Sequence, residues 1–82
     1  MGNIVELDVR EIPPYERHGR IFDTWHALPV GDEIVLTNDH EPRPLYYQFE
    51  AEYTGQFEYS AEERGEHWWE ARIKRVAAAP SE

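Results

Sequence analysis

From Asn3 to Val9 the chain reads NIVELDV. Its side chains alternate, with Val5, Leu7 and Val9 on one face and Ile4, Glu6 and Asp8 on the other. A period of two marks a half-buried strand. IPPYERHG then breaks the alternation. Pro13 and Pro14 hold the chain extended, and Gly19 would cost about 1 kcal/mol inside a helix, which places the helix start near Arg17 to Gly19. From there Ile21, Phe22, Trp25 and Leu28 form one stripe of a short amphipathic helix. PVGD, residues 29–32, is a turn, and EIVLTN is a second strand with Ile34 and Leu36 on one face.

PLYYQFEAEY, residues 44–53, predicts a second helix in which Leu45, Tyr46, Phe49 and Tyr53 share a face and Gly55 suits the stop. Asn38 and Asp39 are candidate caps for it. QFEYSA and HWWEARIKRV alternate again and are joined by EERGE, whose Gly65 offers the positive φ of a hairpin. Phe57 and Tyr59 are expected on the core face with Trp69, Ala71 and Ile73. The order is βαβαββ. A single helix between the first two strands favours a parallel crossover. The predicted fold is α+β, a two-layer sandwich with both helices on one face of a four-stranded mixed sheet. It forms one domain over residues 1–76, and residues 77–82 are expected as a flexible tail.

Composition narrows the function. Aromatic residues make up 13% of 82 residues, enough to build a core in a small domain. The net charge of −9, from 17 acids against 8 bases, opposes both phosphate backbones and anionic lipid. Neither nucleic acid nor membrane is therefore expected as a partner. There is no cysteine, which excludes disulfides, thiolate metal sites, iron–sulfur clusters and thiol nucleophiles together. No apolar run reaches transmembrane length and no basic, apolar leader is present, so a cytoplasmic setting is expected by default.

If the first two strands are parallel, the loops that follow them meet at one edge of the domain. Ligands of open α/β sheets bind at such edges. That edge gathers Arg10, Glu16, Arg17, His18, Asp39, His40 and Arg43. His18 and His40 are candidate metal ligands, with Glu16 or Asp39 supplying oxygen, in a nitrogen/oxygen set suited to zinc, copper, nickel or iron. Arg10, Arg17 and Arg43 could instead hold a small carboxylate or phosphate, or simply neutralise Asp8, Glu11, Glu16 and Glu41. Pro42 and Pro44 stiffen the second helix's entrance. His26 and His67 are expected at the surface, without metal-ligand spacing. Trp68 points to the sheet face the helices leave uncovered, where it could mark a protein partner. No Gly-rich phosphate loop, His-Glu-x-x-His or serine elbow occurs.

LDVREIPPYERHGRIF, NDHEPRPLYYQFEAE and GQFEY through WWEARI resemble a bacterial family known as domain of unknown function 2249, over residues 5–75. That family is in turn similar to the TusA/SirA-like sulfur carriers, and the resemblance implies their βαβαββ sandwich. Laying LDVREIPPYER on the carriers' LDLRGLxCPxP puts Pro14 where they hold their cysteine. Persulfide relay needs a thiolate and is excluded here. What the resemblance implies is a site in the same place with different residues: Glu16, Arg17, His18 and His40. The family also occurs beside haemerythrin-like and cupin domains, which implies a redox or metal-linked setting. The fold further resembles the C-terminal domain of translation initiation factor three, but the charge of −9 argues against carrying over RNA binding. Three expectations follow. The first is a non-catalytic binding module for a metal ion or small anion. The second is an interaction domain using the open sheet face. The third, an enzyme with a histidine base, would need an enclosed pocket.

Overall fold

A computed structural model describes residues 2–79, which form a four-stranded sheet and two helices. The elements are β1 (Ile4–Asp8), α1 (Pro14–His26), β2 (Glu33–Asn38), α2 (Arg43–Glu52), β3 (Phe57–Gly65) and β4 (Trp68–Arg75). The sheet order is β1-β2-β4-β3. β1 runs parallel to β2, and β4 runs antiparallel to both of its neighbours. The α+β fold with a mixed sheet is the one the sequence pattern predicts.

Period-two alternation puts Ile34 and Leu36 of β2 on the same face as Ala71 and Ile73 of β4, their register partners. Onto that face α1 lays Ile21, Phe22 and Trp25, and α2 lays Leu45 and Phe49. Both helices therefore share one face. Phe22 stacks on Phe49 at 4.9 Å, and Trp25 meets Phe49 edge-on at 5.0 Å, the offset and T-shaped geometries that aromatic quadrupoles favour. Phe57, Tyr59 and Ala61 of β3 pack against the same core. The opposite sheet face is polar: Arg72 pairs with Glu33 at 3.0 Å and with Glu70 at 3.6 Å. Val35, the register partner of Arg72, is buried on that face.

Three local expectations need correction. α1 begins at Pro14, three residues before the predicted start, and Gly19 lies inside it. The proline ring fixes φ near the helical value and removes an N–H that the first turn could not bond anyway, so Pro14 opens the helix rather than delaying it. Asn38 and Asp39 do not cap α2, whose N-cap is Pro42 and has no side-chain cap bond. Instead, Asn38 Oδ1 accepts the N–H of Asp39 at 2.8 Å. Finally, β3 continues to Gly65, and the turn is Glu66–His67, with the positive φ at His67 (52°). A Cβ at Gly65 would lie 3.3 Å from Trp68 Cε3, so glycine there admits the close approach of the Trp68 ring.

At the sheet's other end Arg75 closes α1, donating to the carbonyls of Leu28 (2.7 Å) and Trp25 (3.4 Å) with its guanidinium 5.3 Å from the Trp25 ring. Ala77, the first residue of the segment expected as a tail, donates its N–H to Gln56 O at 3.4 Å. Residues 80–82 of that expected tail lie outside the described residues. Among the described residues no helix is long and apolar enough to cross a membrane.

Candidate functional site

Parallel pairing of β1 with β2 brings the loops after them together, and the ladder runs on past the strands as Val9 N–H donates to Thr37 O at 3.0 Å. Arg17 locks the two loops to each other. It is only 7% exposed, and its five N–H groups all find acceptors. Nε donates to Ile12 O (2.8 Å). Nη1 donates to Asn38 Oδ1 (3.2 Å) and Asp39 Oδ1 (3.0 Å), and Nη2 to Arg10 O (3.1 Å) and Asp39 Oδ2 (3.2 Å). The fork is fully used and leaves no N–H for a ligand.

The two other arginines are also engaged. Arg10 makes a bidentate pair with Asp8, 2.7 Å at its shortest, which lowers the Asp8 pKa. Arg43 donates to Glu41 at 3.0 Å. The prolines at the two helix starts carry no N–H, so the helix N-termini offer an anion little in compensation. Glu16 stands apart, on the exposed wall of a groove along α1 with Glu11, Ile12, Pro13, Gly19, Arg20 and Asp23.

The histidines do come together. His18 and His40 line one cavity of about 130 Å³ between the starts of α1 and α2, walled by Pro14, Pro42, Pro44 and Leu45. His40 Nδ1 lies 2.7 Å from Asp39 Oδ1, and His18 Nδ1 lies 3.3 Å from Gln48 Oε1. An acceptor at Nδ1 favours the tautomer with the proton there and the lone pair on Nε2. The same arrangement therefore sets both rings. Asp39 is doubly held: the Arg17 guanidinium and then the His40 ring bring its pKa down to about 2, so the carboxylate stays ionised. Among the described residues no group of three His, Asp or Glu side chains is placed to hold a metal ion. The cavity has room for a hydrated ion or a very small molecule, and falls below the roughly 300 Å³ of ordinary ligand pockets.

The chain matches, over residues 6–75, the model of a family described as "Uncharacterized conserved protein (DUF2249)". It belongs to that family. No curated protein and no solved structure matches it.

In this DUF2249 protein the remaining singled-out residues lie away from the cavity. His26 Nε2 is 2.7 Å from the Tyr53 hydroxyl, and His67 is exposed in the hairpin turn. Trp68 is 43% exposed beside Gly65. Sequence reasoning did not single out Gln48, the acceptor for His18, nor the cavity's proline walls. A signal for the walls existed: each loop puts paired prolines at the start of its helix, Pro13-Pro14 and Pro42-x-Pro44. Gln48 carries no such signal, because its role depends on how α1 and α2 lie side by side.

Proposed function

We propose that this protein is a non-catalytic binding module whose site is the His18/His40 cavity, and that it takes a borderline transition-metal ion such as zinc, copper or nickel. The observation that supports this is the shared setting of the two imidazoles. Each has its Nδ1 against a side-chain oxygen, each is left with Nε2 to coordinate, and both line one cavity. Asp39 supplies the carboxylate–histidine orientation that strengthens a metal-bound imidazole. Two protein nitrogens leave the remaining coordination positions to water or to a small ligand brought from outside. A small-anion ligand is less favoured, since Arg10, Arg17 and Arg43 are all engaged. The reading of the open sheet face around Trp68 as a docking surface is less favoured too, because Arg72, Glu33 and Glu70 make that face charged. A cytoplasmic setting and a kinship with the sulfur carriers belong to the same proposal; cysteine-based sulfur relay does not.

Titration of labelled protein with zinc, copper and nickel, followed on the four imidazoles by NMR, tests the site. His18 and His40 should shift together while His26 and His67 stay in place, and alanine at either position should abolish the response. Asp39→Asn should weaken binding about tenfold or more, as loss of an outer partner does at other histidine sites. Binding should fall in acid, where imidazole takes up a proton in place of the metal. Four weak, independent histidine responses would overturn the reading.

A further inference from the structure

β3 forms the outer edge of the sheet, with β4 on one side and no described strand on the other. In an antiparallel edge strand every second residue turns its N–H and C=O outward, unpaired. Beside this edge runs a groove of about 410 Å³ between β3 and α2. Its β3 wall is Tyr59, Ser60 and Ala61 in succession. Side chains of consecutive strand residues point to opposite faces, so a groove touching all three follows the strand's edge rather than either face. Tyr46 and Tyr47 form the α2 wall, with Tyr46 centred 4.9 Å from Tyr59 and 5.7 Å from Tyr47. Tyr47 is 61% exposed.

The chemistry of the rim is one-sided. Glu41 lines the groove, and Glu50 accepts from the Tyr46 hydroxyl at 3.2 Å. Phenol faces and carboxylates both attract cations. Burial pushes the Tyr59 phenol up to about 12, so it stays neutral at any ordinary pH. One cation already stands there, Arg43, paired with Glu41 at 3.0 Å while its side chain is 66% exposed.

We propose that this groove is a strand-addition site for an extended, basic segment of a partner protein. The segment pairs with the outer edge of β3 and lays an arginine or lysine side chain across Tyr46 and Tyr47, where it displaces Arg43 from Glu41. Main-chain pairing supplies affinity, and the tyrosine and glutamate wall supplies the preference for positive charge. The net charge of −9 steers such a segment toward the molecule.

The probe is a synthetic peptide, acetyl-Thr-Val-Arg-Val-Arg-Val-Thr-amide, titrated into labelled full-length protein. The amides of residues 58–62 and the rings of Tyr46, Tyr47 and Tyr59 should shift, and hydrogen exchange along β3 should slow. Tyr47→Ala removes an exposed ring without touching the core. It should weaken binding about two- to fivefold, the worth of one exposed cation–π contact. Arg43→Gln should tighten binding by releasing Glu41. Replacing both peptide arginines by glutamate should abolish it, and N-methylating alternate peptide nitrogens on the pairing edge should do the same. Four results would overturn the proposal: no shift at millimolar peptide, shifts mapping to the α1 groove or the open sheet face, equal binding of the methylated peptide, or loss of binding in Arg43→Gln with gain for the glutamate peptide. The last would mean that Arg43 recruits an anion instead.

Discussion

Arg17 decides more of this site than either histidine does. Its guanidinium is the only described group that bonds both loops at once, reaching Arg10 O and Ile12 O in the first and Asn38 and Asp39 in the second. Truncation would take away the side-chain donor of both carbonyls and leave Asn38 Oδ1 with the Asp39 N–H alone, at a cost of about 2–3 kcal/mol. Arg17→Ala should therefore lower the unfolding free energy by that amount, read as a lower urea midpoint at unchanged slope, and release His40. Arg17→Lys should recover little, because an ammonium cannot span the fork's acceptors. Asp39 makes the same lock sensitive to acid. Its folded pKa, about 2, lies below the 3.8 of an unperturbed aspartate. The unfolded chain thus takes up the proton first, so the stabilisation is complete above about pH 4 and drains away as the pH falls toward 2. Melting temperatures measured across that window should fall for the wild type and change less for Asp39→Asn. Sequence pattern found the residues but misjudged Arg17, and the cause is local. With the helix opened at Pro14, residues 17, 21 and 25 lie on one stripe, which puts the arginine on the buried face beside Ile21 and Trp25.

The elements themselves were legible because each buries a face with its own period. β2 alternates Ile34 and Leu36 inward, α1 repeats Ile21, Phe22 and Trp25, and the two periods bring them to a common core. Their ends were less legible, since ends are set by backbone geometry that composition signals weakly. A glycine at position 19 reads as a breaker, yet the helix passes through it. A Cβ built there meets nothing within 4 Å, and the residue is exposed. Gly19→Ala should accordingly raise stability by about 0.5–1 kcal/mol through the lower entropy of the unfolded chain, measurable as a higher urea midpoint with an unchanged slope. The hairpin shows the converse. Gly65 reads as the turn but serves as a flat spot for the Trp68 ring, while His67 takes up the positive φ. Contacts between the helices such as His18 with Gln48 stand thirty residues apart in the chain, and no local pattern announces them.

Across the whole molecule the acid surplus and the ion pairs respond to salt in opposite directions, and their ranges decide which prevails. The pairs are contacts: Arg17–Asp39 at 3.0 Å has one partner buried, and Arg72–Glu33 at 3.0 Å lies on a sheet face. Screening weakens such short contacts little, and the exposed ones are worth at most about 1 kcal/mol each. The nine uncompensated charges repel one another over the full 42 × 27 × 17 Å of the protein. At 0.01 M salt the screening length is roughly 30 Å, longer than two of those dimensions, so the repulsion is felt across the molecule; at 1 M it is roughly 3 Å and the repulsion is gone. Unfolding spreads the charges apart and relieves the repulsion only while it is unscreened. Added sodium chloride should therefore raise the melting temperature, most steeply below 0.1 M. Neutralising carboxylates of β3 that make no ion pair among the described residues, as in Glu58→Gln with Glu63→Gln, should flatten the dependence. A melting temperature that fell with salt would mean that the contact pairs, not the surplus, govern stability. Arg72 and Arg17 would then be the residues whose removal abolishes the effect.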